Sequence, residues 1–251
     1  MDQRLDRIAV ILFQPQDVVN VAAIIRVMSN FGLTDLRLVE PAAFDAYRIL
    51  GIAHHTERIV EQVRRFPTLA EATADCTFVL GTTGRPRHQE RLLVTPRQAA
   101  PLLLQTAELA PEGRVAVLFG REQDGLPNEA LDLCHGVLTI PTSPENRSLN
   151  LAQAALVVAY ELYLAATAPV AEAPAAVAEP APDLASGDER EAMFDSLRDL
   201  LLALYPTTTE ARLTASLSRL RGMLMRSAPR HEEAEALANL CRHAARVLRS
   251  R

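Results

Sequence analysis

The sequence predicts an α/β fold with a parallel sheet, followed by a small all-α unit. Short, continuously apolar runs recur between residues 8 and 140 of the 251-residue chain, and such runs are typical of strands that are buried on both faces. Segments with helical periodicity alternate with these runs, as they do in parallel α/β architectures. After residue 187 the strand-like runs stop and only helical segments follow.

Each predicted strand is a run of mostly branched or aromatic apolar residues. The runs occupy residues 8–13, 36–39, 76–81, 115–120 and 136–140. The predicted helices between and after them occupy residues 20–31, 68–74, 96–109, 128–134 and 149–166. Gly32 and Ser148 support two of these boundaries, because glycine is common just after a helix and serine is a common N-cap.

Four loops follow the carboxyl ends of these strands, which is where parallel sheets bind their ligands. The loops are residues 14–19, 81–91, 120–127 and 141–148. They hold most of the glycine, proline, arginine and asparagine in this part of the chain. The sequence therefore predicts a binding site at this end of the sheet.

Composition divides the chain into three parts. Residues 1–166 form the predicted sheet domain, and residues 167–187 are rich in alanine and proline, which is typical of a semi-extended linker. Residues 188–251 form the helical extension, with predicted helices at about 188–204, 208–227 and 230–249.

Charge and cysteine usage narrow the class of protein. The net charge is −5, but residues 207–251 hold nine arginines against four glutamates, so this part carries +5 and the remainder −10. A basic C-terminal unit is compatible with a polyanionic partner.

The three widely spaced cysteines show no metal-ligand spacing and favour reduced thiols in a cytoplasmic protein. No apolar run is long enough for a membrane span, and no signal-peptide pattern is present.

Three stretches carry a family resemblance. They are QPQDVVNVAAIIRVMSNFG (14–32), LFGREQDGLPNEAL (118–131) and IPTSPENRSLNLAQAALVVAYEL (140–162). Together they resemble the SpoU/TrmH-type branch of the SPOUT RNA methyltransferases, in particular the TrmJ-like group, over residues 8–165. The stretch SLSRLRGMLMRSAP (216–229) is similar more loosely to the helical extension of that group.

The resemblance implies a fold and an activity. The sheet would carry a trefoil knot at its C-terminal end and would bind S-adenosylmethionine in a bent pose. The protein would be a homodimer, with an interface built partly from helices 20–31 and 149–163. It would methylate a ribose 2′-oxygen in RNA, and the similarity to the TrmJ-like group indicates a nucleotide in a tRNA anticodon loop. The alternatives are an rRNA 2′-O-methyltransferase, a non-catalytic RNA-binding relative and a methyltransferase with a non-RNA substrate.

The resemblance also assigns candidate site residues. The expected cofactor contacts are Thr82, Thr83, Gly84, Gly120, Ile140, Arg147, Ser148 and Leu149. In this interpretation, Gly84 and Gly120 let the backbone approach the adenosine, and Ile140 and Leu149 hold the adenine between apolar side chains. No metal ligand set is expected.

The catalytic candidates carried over are Arg26, Asn20, Glu122, Arg121, Ser148 and Asn150. Arg26 is the expected activator of the 2′-hydroxyl, reaching the site across the dimer interface. Because a guanidinium is a poor base, we expect it to stabilise developing negative charge.

Each candidate also has a structural interpretation. Arg26 could be a solvated helix residue, Asn20 or Ser148 could be only an N-cap, and Glu122 could pair with Arg121. Asn150, placed one turn inside the last helix, could be a buried hydrogen-bonding residue.

RNA contacts are expected from Arg85, Arg87, Arg219, Arg226 and Arg230. Arg219 and Arg226 share one helix face at a spacing of seven residues, whereas Arg221 points about 200° away from Arg219. Three positions depart from the family pattern. Val19 stands where a small residue or proline is common, Ala22 stands in place of a glycine, and Arg147 stands in place of a serine or tyrosine. These departures bear on the RNA substrate more than on the cofactor.

Overall fold

The computed structural model describes residues 3–84, 92–109, 113–168 and 183–250. Arg85 and Arg87 therefore lie outside the described residues, as does most of the predicted linker. A short 3₁₀ turn, Leu5–Arg7, leads into the first strand.

The described residues form a seven-stranded sheet in which every pair of neighbouring strands is parallel. The strand order is β3-β2-β1-β6-β4-β7-β5. The strands are β1 (Ile8–Phe13), β2 (Asp35–Val39), β3 (Arg64–Phe66), β4 (Cys76–Thr82), β5 (Leu92–Val94), β6 (Arg114–Phe119) and β7 (Gly136–Leu138). This arrangement confirms the predicted parallel sheet, while the trefoil knot stays a prediction.

Helices cover both faces of the sheet. They are α1 (Val18–Phe31), α2 (Ala46–Ile52), α3 (Glu57–Gln62), α4 (Leu69–Ala72), α5 (Pro96–Leu109), α6 (Asn128–Leu131) and α7 (Leu151–Thr167). The larger core joins α1, α5 and α7 to one face of the sheet, and the smaller core packs α4 and α6 against the other. Alternate strand residues serve the two cores: Val10 belongs to the first and Ile11 to the second. Burial on both faces explains why the strands are continuously apolar.

Several predicted boundaries were wrong. Helix α1 begins at Val18 rather than residue 20, because the Asp17 side chain accepts the Val19 amide and caps the helix. Helix α7 begins at Leu151 rather than residue 149. Strand β7 ends at Leu138, two residues before the predicted end.

The C-terminal part contains the three predicted helices, α8 (Gly187–Leu204), α9 (Glu210–Arg226) and α10 (His231–Arg249). They share a core around Phe194 and Met225. The division into sheet domain, linker and extension stays a prediction. The end of the predicted linker, however, packs with the helical extension. Ala185, which the composition places in the linker, is fully buried and donates its backbone N–H to the Pro229 carbonyl.

Candidate functional site

A cavity of about 300 Å³ lies where β4, β6 and β7 end. The structure brings all eight expected cofactor residues to its wall: Thr82, Thr83, Gly84, Gly120, Ile140, Arg147, Ser148 and Leu149. They come from three of the four predicted site loops and their edges. The location agrees with the rule that parallel sheets bind ligands at their carboxyl ends.

The cavity has further lining residues that the sequence interpretation did not single out. They are Phe119, Gln123, Asp124, Gly125, Leu138, Leu151 and Ala154. Gln123, Asp124 and Gly125 lie inside the predicted site loop 120–127. The sequence thus predicted the loop but not these three lining residues. Phe119 and Leu138 are the last residues of β6 and β7. Their position at the ends of strands, next to site loops, is the sequence signal that could have identified them as lining residues.

Gly84 and Gly120 are required by the packing of the chain itself. A Cβ on Gly120 would lie 2.1 Å from the carbonyl carbon of Gly125, and one on Gly84 would lie 2.8 Å from the Arg147 carbonyl oxygen. Neither distance is possible without movement of the backbone. These glycines therefore allow the site loops to pack against one another, and their close approach to a ligand stays a prediction.

The loop after β6 is closed by reciprocal backbone hydrogen bonds. The Arg121 and Gly125 amides each donate to the other residue's carbonyl, at 3.2 and 2.9 Å, and Gly125 has a positive φ of 71°, which glycine adopts readily. Arg121 forms an ion pair with Asp124 at 3.3 Å. The alternative in which Arg121 pairs with Glu122 was therefore wrong. Within the described residues, the buried Nε of Arg121 has no hydrogen-bond partner.

Glu122 joins this loop to the start of α1. Its carboxylate accepts hydrogen bonds from the Gln16 and Asp17 amides, each at 3.1 Å, and from the Asn20 side-chain amide at 3.1 Å. Burial raises the pKa of Glu122, but these hydrogen bonds and that of its own backbone amide lower it, and the net shift is downward. The carboxylate is thus held in its ionised form.

Asn20 continues the connection to α7. Its side-chain oxygen accepts a hydrogen bond from the Asn150 side-chain amide at 3.0 Å. Asn150 in turn accepts the Ala152 and Gln153 amides and is the N-cap of α7. The predictions of Ser148 or Asn20 as an N-cap, and of Asn150 inside the helix, were wrong because Asp17 and Asn150 have those capping positions.

Arg26 does not line the cavity. Its side chain is exposed, and its Nη1 donates to the His54 carbonyl at 2.5 Å. Within one chain, the structure therefore brings Asn20, Glu122 and Asn150 together but leaves Arg26 on another side of α1.

Three of the five arginines expected to contact RNA lie in the helical unit. Arg219, Arg226 and Arg230 are exposed, and their side chains form no ion pair with any described residue. Arg221 has a structural role instead, because it pairs with Glu191 at 2.5 Å and lies over the Phe194 ring at 4.1 Å.

The described part of the chain shows neither a membrane-spanning helix nor a metal site. None of its helices combines the length and hydrophobicity that a membrane span requires. The same residues contain no group of three or more His, Cys, Asp or Glu side chains placed to hold a metal ion.

The family model for the SpoU rRNA Methylase family matches residues 7–160, which is more than half of the chain. With the parallel sheet and the site loops in the same region, this match shows that the chain belongs to the SpoU rRNA methylase family.

The relatives that it resembles are mainly TrmJ proteins. The Pseudomonas aeruginosa tRNA (cytidine/uridine/adenosine-2′-O-)-methyltransferase TrmJ is 40% identical over 161 residues, which is 64% of this chain and 62% of that protein. The chain thus spans less than two thirds of that relative. The Yersinia pestis Pestoides F TrmJ is 31% identical over 242 residues, covering 94% of this chain and 90% of that one. A crystal structure of TrmJ from Zymomonas mobilis ZM4 superposes with a TM-score of 0.78 at 35% identity, covering 93% and 96% of the two chains.

Proposed function

We propose that this protein is an S-adenosylmethionine-dependent methyltransferase that methylates a ribose 2′-oxygen in the anticodon loop of tRNA. The observation that carries the proposal is the assembly of all eight expected cofactor residues around one cavity in a member of the SpoU family. The similar Pseudomonas and Yersinia proteins are named tRNA 2′-O-methyltransferases, and this supports tRNA over rRNA. A cytoplasmic location is part of the proposal.

The cavity suits a nucleoside cofactor. Its volume of about 300 Å³ is within the range of small-molecule sites, roughly 300–1,000 Å³. Ile140 and Leu149 offer apolar surface for an adenine ring, and their backbone groups can pair with its edge. The Nε of Arg121, which has no hydrogen-bond partner among the described residues, provides a donor for a ligand oxygen.

S-adenosylmethionine, when bound, supplies a methyl group activated by its sulfonium. The chain's own residues must hold the ribose hydroxyl in line and stabilise the charge that develops on its oxygen. We assign charge stabilisation to Arg26, contributed by the partner subunit. Glu122 is a poor candidate for a general base, because it is saturated with hydrogen bonds and its pKa is lowered. We propose that Glu122, Asn20 and Asn150 instead hold the loop 120–127 and the starts of α1 and α7 in place.

A homodimer is the second part of the proposal, and the exposed surface supports it. Helices α1 and α7 pack side by side. The exposed apolar side chains Leu156, Tyr160, Tyr163 and Leu164 fall on one face of α7 by their spacing, and Val19 is exposed in the first turn of α1. Contiguous apolar surface of this kind marks interaction sites. A partner on this face would also approach Arg26.

Three measurements test this proposal. Calorimetric titration with S-adenosylhomocysteine tests the cavity, and transfer of labelled methyl groups to bulk tRNA and to rRNA tests the substrate. Nucleoside mass spectrometry then identifies the methylated ribose. Failure to bind S-adenosylhomocysteine would favour the non-catalytic RNA-binding alternative. Binding without methylation of either RNA would favour a non-RNA substrate, and methylation of rRNA alone would replace tRNA as the target.

A further inference from the structure

Arg190 attaches the helical unit to the sheet. It lies in the first turn of α8 and is only 3% exposed. Its guanidinium donates to the Cys76 carbonyl at 3.0 Å, the Thr77 carbonyl at 3.2 Å and the Ala185 carbonyl at 2.5 Å. Two of these carbonyls belong to β4, so one side chain joins the C-terminal helices to a central strand of the sheet.

The buried charge of Arg190 is balanced by backbone carbonyl groups. Arg190 forms no ion pair with any described residue, and burial lowers its pKa to about 10, so the arginine stays charged at neutral pH. A buried cation is costly unless its hydrogen bonds are well satisfied, which requires the carbonyls to be held in place. The contact therefore defines one arrangement of the two parts rather than a loose tether.

Two neighbouring contacts fix the same arrangement. A Cβ on Gly187 would lie 2.1 Å from the Thr73 carbonyl oxygen, so α8 approaches the sheet domain as closely as its backbone allows. Farther along, the Ser218 hydroxyl on α9 donates to the Asp132 carboxylate at 2.6 Å. Asp132 lies between α6 and β7, so this second attachment holds α9 against the sheet domain.

Arg190 attaches the helical unit at the end of β4 that lies opposite the cavity. Cys76 and Thr77 begin β4, whereas Thr82 ends it and lines the cavity. Five residues of strand separate Thr77 from Thr82, a distance of about 17 Å. The Arg190 attachment of the helical unit therefore lies at a distance from the cavity along the strand.

The outer face of α9 carries a row of arginines. Arg212, Arg219 and Arg226 recur every seven residues, so they share a face and span about 21 Å of helix. All three are exposed and none forms an ion pair with a described residue. The spacing suits the phosphate backbone of a folded RNA.

We propose that Arg190 is a positioning residue, which holds the arginine row of α9 at a fixed distance from the cavity so that one folded RNA is contacted at two separate places. This inference rests on the proposed function and deepens it, since it makes the substrate an RNA that extends well beyond the methylated loop. The second contact is to phosphates, so it recognises the fold of the RNA rather than its sequence.

The test compares two substrates. Arg190→Met removes the three hydrogen bonds and keeps an apolar stem. Arg198→Met on the same helix is the matched control, because Arg198 is partly exposed and, among the described residues, pairs with Glu210 alone. Each variant is assayed on full-length tRNA and on a hairpin that contains only the methylated loop and its stem. With Arg190→Met, we expect KM for full-length tRNA to rise about tenfold through lost effective concentration. We expect kcat, the hairpin kinetics and S-adenosylhomocysteine affinity to stay unchanged.

A second variant covers the case in which Arg190→Met does not fold. Gly187→Ala forces α8 away from the Thr73 carbonyl and should give the same selective rise in KM, while Arg190→Lys should restore part of the affinity. Equal losses on both RNAs, or no loss on full-length tRNA, would overturn the proposal. If the wild-type protein methylates neither RNA, the proposed function has failed instead.

Discussion

Replacing Glu122 by glutamine tests how the cavity loop is held. The carboxylate accepts three hydrogen bonds that join the loop to the start of α1, and glutamine removes the charge and one acceptor oxygen. Hydrogen bonds to charged groups contribute about 1.5–3 kcal/mol each. Since Glu122 is partly exposed and glutamine keeps one acceptor, we expect a net loss of about 2 kcal/mol in the free energy of unfolding. For a chain of this size, that lowers Tm by roughly 4–8 °C.

The pH dependence gives an independent check. The pKa of Glu122 is lowered in the folded protein from its ordinary value of 4.5, so its contribution to stability is present above that value and is lost as the pH falls through the folded pKa. The difference in Tm between wild type and variant should therefore be full at pH 7 and shrink below about pH 4.5.

Calorimetry of both proteins across this range measures the difference, with Glu129→Gln as the exposed control. A Glu122→Gln variant that melts with the wild type and binds S-adenosylhomocysteine equally would refute the argument that this carboxylate holds the loop.

Three further predictions concern the cavity, the reaction and the dimer. Gly120→Ala should abolish measurable S-adenosylhomocysteine binding, because its Cβ would overlap Gly125, whereas Gly51→Ala, which meets nothing within 4 Å, should bind normally. Arg26→Ala should lower kcat by roughly a hundredfold with cofactor affinity unchanged, and lost cofactor binding with intact turnover would reverse that assignment. Leu156→Glu should convert the dimer to a monomer by light scattering; a wild-type protein that is an active monomer would contradict the proposed interface.

Much of the fold could be predicted because the sheet is buried on both faces. Continuous apolar runs identified β1 without error and β2, β4 and β6 to within one residue at each end. Strand β5 was missed because its apolar run, Leu92–Val94, has only three residues, whereas the equally short β7 lies in a longer run, 136–140, that the sequence shows. Arg64 and Arg65 make β3 a polar edge strand, and no alternation or apolar run distinguishes it from a loop.

The site could be predicted only in part. The motifs identified the cavity residues, because strand ends and helix starts bring them to one place. The hydrogen bonds of Glu122 could not be predicted, since Asn20 lies 102 residues away in sequence. Local pattern also misplaced the cap of α7. Ser148 and Asn150 are both good N-cap residues, and the choice depends on where the backbone leaves the cavity.

The same hydrogen bonds connect the cavity to the proposed dimer face. Asn20 lies in the first turn of α1 and Asn150 is the N-cap of α7. Asn20 is hydrogen-bonded to Glu122 and to Asn150, and the later turns of α7 carry most of the exposed apolar side chains. A partner that packs on those turns changes the freedom of helices whose first turns support the cavity wall. Because coupling between two binding events is reciprocal, a cofactor analogue that orders the wall should also tighten the dimer. Light scattering on dilution, with and without S-adenosylhomocysteine, measures this coupling, and equal dissociation constants would show that the two sites are independent.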